Sequence, residues 1–435
     1  MLMKKGCDLL IIYVVKKGDT IYQIAEQFGV PVETIIEANG LVNPNLLVVG
    51  QALVIPGDFS SQNIMAGQSL YAIARNYGIP LDQLIRLNPQ IGNIARLQIG
   101  QPVTVPVPPP KLGAIFVNGY AFPSIDPEVL GKTLPYLTYL SIFSYQVRSD
   151  GSLKPIDDTP LIEAARNAGV APMMTITNIE EGASFSGELA HTILTNEEIQ
   201  DKLIANIIKT LQEKNYYGLD VDFEYLYPED RQNYNQFMDK VGTAIRPLGY
   251  ILTVAIAPKI TAEQRGTLYE AHDYPAQGAL VEHVIIMTYE WGYIRGPAMA
   301  VAPIGPVRQV LDYAVSVIPS EKILMGMPNY GYDWTLPFVR GSAARILTLR
   351  GAVDLAAKVG ADIQFDRVSQ APYFTYYDQN GKKHEVWFED ARSYQARLLL
   401  VDEYNLGGVS YWTINSFYPQ NWLVLESMYE IIKVL

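Results

Sequence analysis

Residues 216–226 read YYGLDVDFEYL and place Asp220, Asp222 and Glu224 two residues apart, interleaved with Val221 and Phe223 and preceded by Leu219. On a β-strand successive side chains point to opposite faces. The three carboxyls therefore share one face, and Leu219, Val221 and Phe223 share the other. A solvated face is the usual fate of charges, but helical patterns flank this strand on both sides and make it central. The acidic face then points into the protein. Three adjacent buried carboxyls cannot all ionise cheaply, so they are expected to share protons and to titrate away from their ordinary values. Such a row is costly to stability, which points to function.

Two chemistries use a row of this kind. Aspartates at a strand end can hold a divalent cation, or one protonated carboxyl can donate to the leaving oxygen of a glycoside. The chain has four histidines, His191, His272, His283 and His384, and none has paired metal-ligand spacing such as H-E-x-x-H. No P-loop or nucleotide-binding glycine fingerprint accompanies the row, so metal-assisted phosphoryl chemistry is the weaker alternative. Neither a metal nor a cofactor is expected. A net charge of −12 argues against a nucleic-acid partner, which needs a basic face. The 29 tyrosines supply aromatic surface of the kind that sugar-binding clefts use.

The elements that must position the row come from alternation along residues 112–435. Short β-rich runs alternate with amphipathic helical patterns, the mark of a parallel α/β domain. Eight runs read as strands: 114–117, 139–143, 172–177, 218–224, 252–257, 284–288, 323–327 and 408–412. Before the acidic strand, Thr195 and Glu198 have capping-box spacing, and Ile199, Leu203, Ile207 and Leu211 then recur on one helical face. Eight β/α units in this length predict a TIM barrel with its site at the C-terminal strand ends. The stretch from about 332 to 388 is too long for a βα connection. It holds FTYYDQNGKKHEVWF, two β-rich runs joined through Asn380-Gly381, and reads as a small α+β insertion after strand seven.

The N-terminal quarter is a repeat. VVKKGDTIYQIAEQFGVPVETIIEANG (14–40) realigns on IMAGQSLYAIARNYGIPLDQLIRLNPQ (64–90), and VGQALVIP (49–56) on IGQPVTVP (99–106). Each unit reads strand, helix, helix, strand, giving two small α+β modules at 12–57 and 61–107. VPVPPP (105–110) reads as a stiff extended linker. The opening MLMKKGCDLLIIYVV has an apolar run too short to span a membrane and no small-residue cleavage site, so Ile12–Val15 is expected to be a strand rather than part of a signal peptide. The single cysteine, Cys7, excludes an internal disulfide framework.

These motifs carry resemblances. The repeats resemble LysM modules in G-D-T-I-x-x-I-A, the helix-ending Asn and G-Q-x-L-x-I-P. That resemblance implies binding of peptidoglycan or chitin-like glycan at the Gly18–Thr20, Asn45–Leu47 and Gly67–Ser69 loops, with Asp19, Thr20, Gln68 and Ser69 as contact residues. GLDVDFE looks like the D-G-x-D-x-D-x-E motif of glycoside hydrolase family 18. MTYE (287–290), MPNYGYDW (327–334) and GVSYW (408–412) fall where that family has its strand-six, strand-seven and strand-eight motifs. The resemblance implies that Glu224 is the general acid and later the base. It implies that Asp222 orients the substrate's 2-acetamido group, that Asp220 shares a proton with Asp222, and that Tyr289 hydrogen-bonds the acetamido group. Trp412 would form the floor under the reacting sugar, beside Met287 and Glu290. Because the substrate supplies its own nucleophile, no second catalytic carboxylate is required.

Two letters depart from the family. Tyr217 stands where the motif has its first Asp, and strand three reads MMTITN without S-x-G-G, which points away from processive chitinases. Two repeats with DVDFEYL and MTYEWG look like the spore cortex-lytic N-acetylglucosaminidases of spore-forming bacteria. That resemblance implies hydrolysis of β-1,4 bonds after N-acetylglucosamine in cortex peptidoglycan during germination, a place in the spore coat, cortex or cell wall, and no protein or membrane partner. The alternatives are a chitin-oligosaccharide hydrolase and an inactive, lectin-like coat protein. Members of the latter kind lose the motif's terminal Glu, which is present here as Glu224.

Overall fold

The computed structural model describes residues 11–57, 60–94, 96–105, 111–180, 182 and 184–435. Cys7 and most of the leader-like stretch lie outside the described residues, as does the proline-rich 106–110.

Each repeat folds as read. Ile11–Val14 pairs antiparallel with Ala52–Ile55 across the helices Ile21–Phe28 and Val32–Asn39. In the second repeat Ser60–Asn63 pairs with Pro102–Val105 across Leu70–Asn76 and Leu81–Leu87. The helix-ending asparagines are structural clamps. Asn39 Nδ2 donates to Ile35 O (2.8 Å) and Val54 O (2.7 Å), while its Oδ1 accepts from Val54 N. Asn88 repeats this with Leu84 and Thr104.

Eight parallel strands close the barrel: Gly113–Ala121, Tyr139–Val147, Ala171–Thr177, Gly218–Asp222, Ile251–Ile256, His283–Ile286, Ile323–Pro328 and Gly408–Trp412, strand eight pairing back to strand one. Leu219, Val221 and Phe223 are fully buried in the layer under the helices, so strand four turns its acidic face inward. The strand ends at Asp222, two residues earlier than the alternation suggests, because Glu224 N leaves the ladder to donate to Asn178 Oδ1 (2.9 Å). The helix before it starts one residue later than the capping-box spacing suggests. Asn196 caps Glu197–Glu213 by accepting from Ile199 N (3.1 Å), while the Thr195 hydroxyl bonds back to His191 O and belongs to the preceding helix. Asn and Thr are both competent N-caps, and a Thr in a last helical turn has a nearby carbonyl to use.

The insertion after strand seven is a five-stranded antiparallel sheet. It is built on Gly331–Leu336 and on the hairpin Ala371–Tyr377/Lys383–Trp387 that turns through Asn380-Gly381, with one helix, Leu349–Val359. Among the described residues no helix is long and apolar enough to cross a membrane.

Candidate active site

Hydroxyl groups from three neighbouring strands meet the inward face of strand four. Asp220 is fully buried, and both of its oxygens accept hydrogen bonds: Oδ1 from Thr253 (2.7 Å), Oδ2 from Tyr120 (2.8 Å) and, more weakly, from Thr175 (3.4 Å). Burial pushes its proton affinity up, and the three hydroxyls pull it back. Strands one, three and five thus supply one donor each. Asp220 acts on Asp222 through its charge, which helps to raise the Asp222 carboxyl. Asp222 titrates well above the ordinary carboxylate range, first because it is buried, then because Glu224 and Asp220 repel its charge. Its Oδ1 is buried without a hydrogen-bond partner among the described residues. An acceptor left open in this way is costly unless a ligand satisfies it.

Glu224 sits two residues further on, half-buried at the mouth. Asn178 holds its backbone on both sides, accepting from Glu224 N and donating to Glu224 O (2.8 Å). His272, through Nε2, meets the preceding carbonyl of Phe223 at 3.0 Å. Burial, reinforced by the charge of Glu290, raises the Glu224 carboxyl to about 7. A carboxyl with that affinity holds its proton at neutral pH and can still release it, which is what a general acid requires.

Glu290 lies four residues beyond the end of strand six, in a left-handed backbone conformation, φ 68°. It accepts from Tyr330 and, at 2.9 Å, from Tyr332, the first tyrosine of the insertion. Burial raises its pKa and these two hydroxyls lower it. Tyr289 is buried beside it, and Gly326 on strand seven makes room for its ring: a Cβ there would lie 2.7 Å from Tyr289 Cε1. Trp412 closes the far side, edge-on to Tyr120, Phe122 and Phe143.

These side chains surround one cavity of about 780 Å³. Asp222, Glu224, Met287, Tyr289, Glu290 and Trp412 all line it, and Asp220 lies beneath them. Tyr225, Tyr269, Tyr293 and Phe185 extend the wall, and among the described residues no Lys, Arg or His lines it. An aromatic-lined, acidic cavity without a cation suits a neutral sugar and not a phosphate. Among the described residues no group of three or more His, Cys, Asp or Glu is placed to hold a metal ion.

Sequence reasoning missed Tyr120, Thr175, Thr253, Asn178, His272, Tyr330 and Tyr332. Asn178, the last letter of MMTITN at a strand end, and Tyr330 and Tyr332, inside MPNYGYDW, carried a local signal; the others did not. Tyr217 does not reach the row: it lies at the opposite end of the barrel, its ring 6.2 Å from that of Tyr139.

The residues read as LysM contacts are engaged within their own loops. Asp19 Oδ2 accepts from Tyr13 OH and Lys16 N, both at 2.7 Å, and Thr20 caps the helix that follows it. Gln68 Oε1 accepts from Met65 N (2.9 Å) and Ser69 caps Leu70–Asn76.

Residues 120–416 match glycosyl hydrolases family 18, and residues 13–56 and 64–106 each match the LysM domain. The chain belongs to glycoside hydrolase family 18 and is a glycoside hydrolase with two N-terminal LysM domains. It is 43% identical over 429 residues to the cortical fragment-lytic enzyme of Bacillus subtilis (strain 168), covering 97% of this chain and 99% of that protein. It is 42% identical to the cortical fragment-lytic enzyme of Bacillus anthracis, covering 98% of this chain and all of the relative. Among solved structures it superposes on the Bacillus megaterium QM B1551 spore cortex-lytic enzyme SleL with a TM-score of 0.86 at 41% identity, covering 98% of this chain and 99% of that one.

Proposed function

We propose that this enzyme hydrolyses β-1,4 bonds after N-acetylglucosamine in peptidoglycan, with spore cortex glycan as the substrate during germination, and that it retains the anomeric configuration. The observation that carries the chemistry is the pairing of an open, buried acceptor, Asp222 Oδ1, with a neighbouring acid held near neutrality, Glu224.

In this reading the N-acetylglucosamine lies on Trp412 with its acetamido N–H on Asp222 and its carbonyl oxygen steadied by Tyr289. That oxygen attacks C1 as the C1–O bond breaks, and Glu224 gives its proton to the leaving oxygen. Asp222 stabilises the positive charge that develops on the acetamido nitrogen. Water then attacks C1 from the face the leaving group vacated, Glu224 takes the water's proton, and the C1–acetamido bond opens to restore the acetamide. Bond making and breaking balance without an oxidant, a metal or a second carboxylate.

Support for the polymer comes from the LysM pair, which raises local concentration on a glycan, and from the names of the two Bacillus relatives. The association with spore and cell wall rests on the same relatives. Mass spectrometry of muropeptides released from spore sacculi tests the bond assignment. Products with reducing N-acetylglucosamine are expected and should survive EDTA. Reducing muramic ends would make the enzyme a muramidase and overturn the reading.

A further inference from the structure

The two LysM modules differ in what covers one shared face. In the first, Gln420 at the start of helix Pro419–Met428 reaches into the module: Nε2 donates to Asn39 Oδ1 (2.9 Å) and to Ala52 O (2.8 Å). Arg392, at the start of helix Ala391–Glu403, donates to Gly50 O (3.1 Å), and Ile363 N of the insertion donates to Val49 O (2.8 Å). Val48 and Val54 join the core of the barrel. The fit leaves no room for a side chain at Gly50, where a Cβ would lie 1.7 Å from Ile363 O.

Among the described residues, nothing covers the equivalent face of the second module. There Asn88 Oδ1 is completed from within by Gln90 Nε2 (3.0 Å), Ile99 is 75% exposed, and a Cβ on Gly100 would meet nothing within 4 Å.

In a TIM barrel each helix begins at the end where its strand finishes, which is the catalytic end. The first module therefore grips three segments that flank the cleft. One is the insertion, whose Tyr332 bonds Glu290. The second is the start of the helix that follows the insertion. The third is the start of the helix seven residues after Trp412, whose connecting loop is tied to strand seven by Asn329 through Thr413 O and Ser416 O. We infer that the first LysM module is a brace of the catalytic cleft, fixing the strand-seven and strand-eight side of the wall, in addition to any contact with glycan. Gln420 and Gly50 are positioning residues of this brace. The inference rests on the hydrolase reading only for its kinetic consequence.

The test compares Gly50→Val with Gly100→Val, because the two glycines have nearly the same φ, 83° and 84°, and differ in what covers them. The substrate is a soluble tetrasaccharide made by muramidase digestion of peptidoglycan. Gly50→Val is expected to lower kcat about tenfold with KM little changed, as displaced catalytic walls do, and Gly100→Val to leave both near wild type. Gln420→Ala, which removes both hydrogen bonds into the module and a longer one accepted from Ala391 N (3.3 Å) and adds no clash, should show the same split more weakly and serves if Gly50→Val does not fold. Amide exchange at residues 413–418 supplies a readout without turnover and should quicken about tenfold in the docking variants alone, the size expected from losing one or two hydrogen bonds. Unchanged exchange in a folded docking variant, or equal kinetic losses in Gly50→Val and Gly100→Val, overturns the brace. An inactive wild type with quickened exchange in the variants would instead overturn the hydrolase reading and keep the brace.

Discussion

At the end where its strands finish, the barrel interior holds Asp222, Glu224 and Tyr289 over Asp220; at the end where they start it is closed by Phe116, Tyr139, Tyr217 and His283. Phe116 stacks on Tyr139 at 5.9 Å and lies 4.6 Å from the His283 ring, and Tyr139 OH meets His283 Nε2 at 3.2 Å. Both ends bury titratable groups, and burial moves them oppositely. It raises the carboxyls of the catalytic end and lowers His283 to about 4, in each case favouring the neutral form. The difference is in access. Each end leaves a buried polar atom without a partner among the described residues, Asp222 Oδ1 at one and His283 Nδ1 at the other. Asp222 lines the cavity beside Glu224, whereas His283 lies against the rings of Phe116 and Tyr139. An unmatched acceptor that faces a cavity beside a near-neutral acid separates the open end from the sealed one.

The largest expected effect is on turnover. Glu224→Gln should lower release of reducing ends by about 10³-fold, within the range for loss of a general acid–base group, while binding to sacculi stays intact. A variant that retains activity would remove the chemistry from this end of the barrel.

Stability should respond to pH in opposite senses at the two ends. Glu224 binds its proton more tightly in the folded chain, about 7 against the model-compound 4.5, so its contribution is full below pH 4.5 and is lost as pH rises through 7. Glu224→Gln should therefore be more stable than wild type at pH 8, by on the order of 2 kcal/mol after allowing for its partial exposure, and the gap in thermal melts should close in acid. His283 is the mirror case: its contribution is full above pH 6.5 and is lost as pH falls towards 4. Thermal melts of His283→Gln should show a shallower loss of stability across that acid interval. Parallel pH slopes for the two variants would break the comparison.

Glu290 sharpens it further. Its negative charge helps to raise Glu224, so Glu290→Gln should move the alkaline limb of the kcat/KM profile to lower pH. The smallest effect on chemistry is expected at Tyr217. Tyr217→Asp restores the letter that the family motif has at this position, but it sits among the aromatic rings of the closed end. It should cost about 1–2 kcal/mol of stability and change kcat by less than about threefold. A larger kinetic change would mean that the two ends communicate.

Much of the fold was legible because periodicity reports which face is buried, and the eight strand runs and both modules follow from it. The carboxylate row was legible because three like charges on a central strand have few structural explanations. The support beneath it was not. Tyr120 lies 100 residues from Asp220, Asn178 lies 46 from Glu224, and His272 lies 49 from Phe223. Tyr120 and His272 look locally like ordinary core residues, Asn178 is marked only by its place at a strand end, and only barrel closure brings them together. The helix start at Asn196 shows the same limit at short range, since neighbouring Thr and Asn compete on nearly equal terms for one cap.

Leu87 belongs to the second module by sequence, yet its side chain lies in the hydrophobic core of the first, with Ile21, Ile24 and Ile35. The first module in turn borrows a hydrogen-bond donor, Gln420, from the barrel. The unit of inheritance is therefore larger than the unit of repetition. A recombination event or an engineered graft that moves one module alone would leave a hole where Leu87 was or an unfilled socket where Gln420 was. The second module can be redesigned on its open face, but transplantation should carry both modules together with the barrel face that receives them.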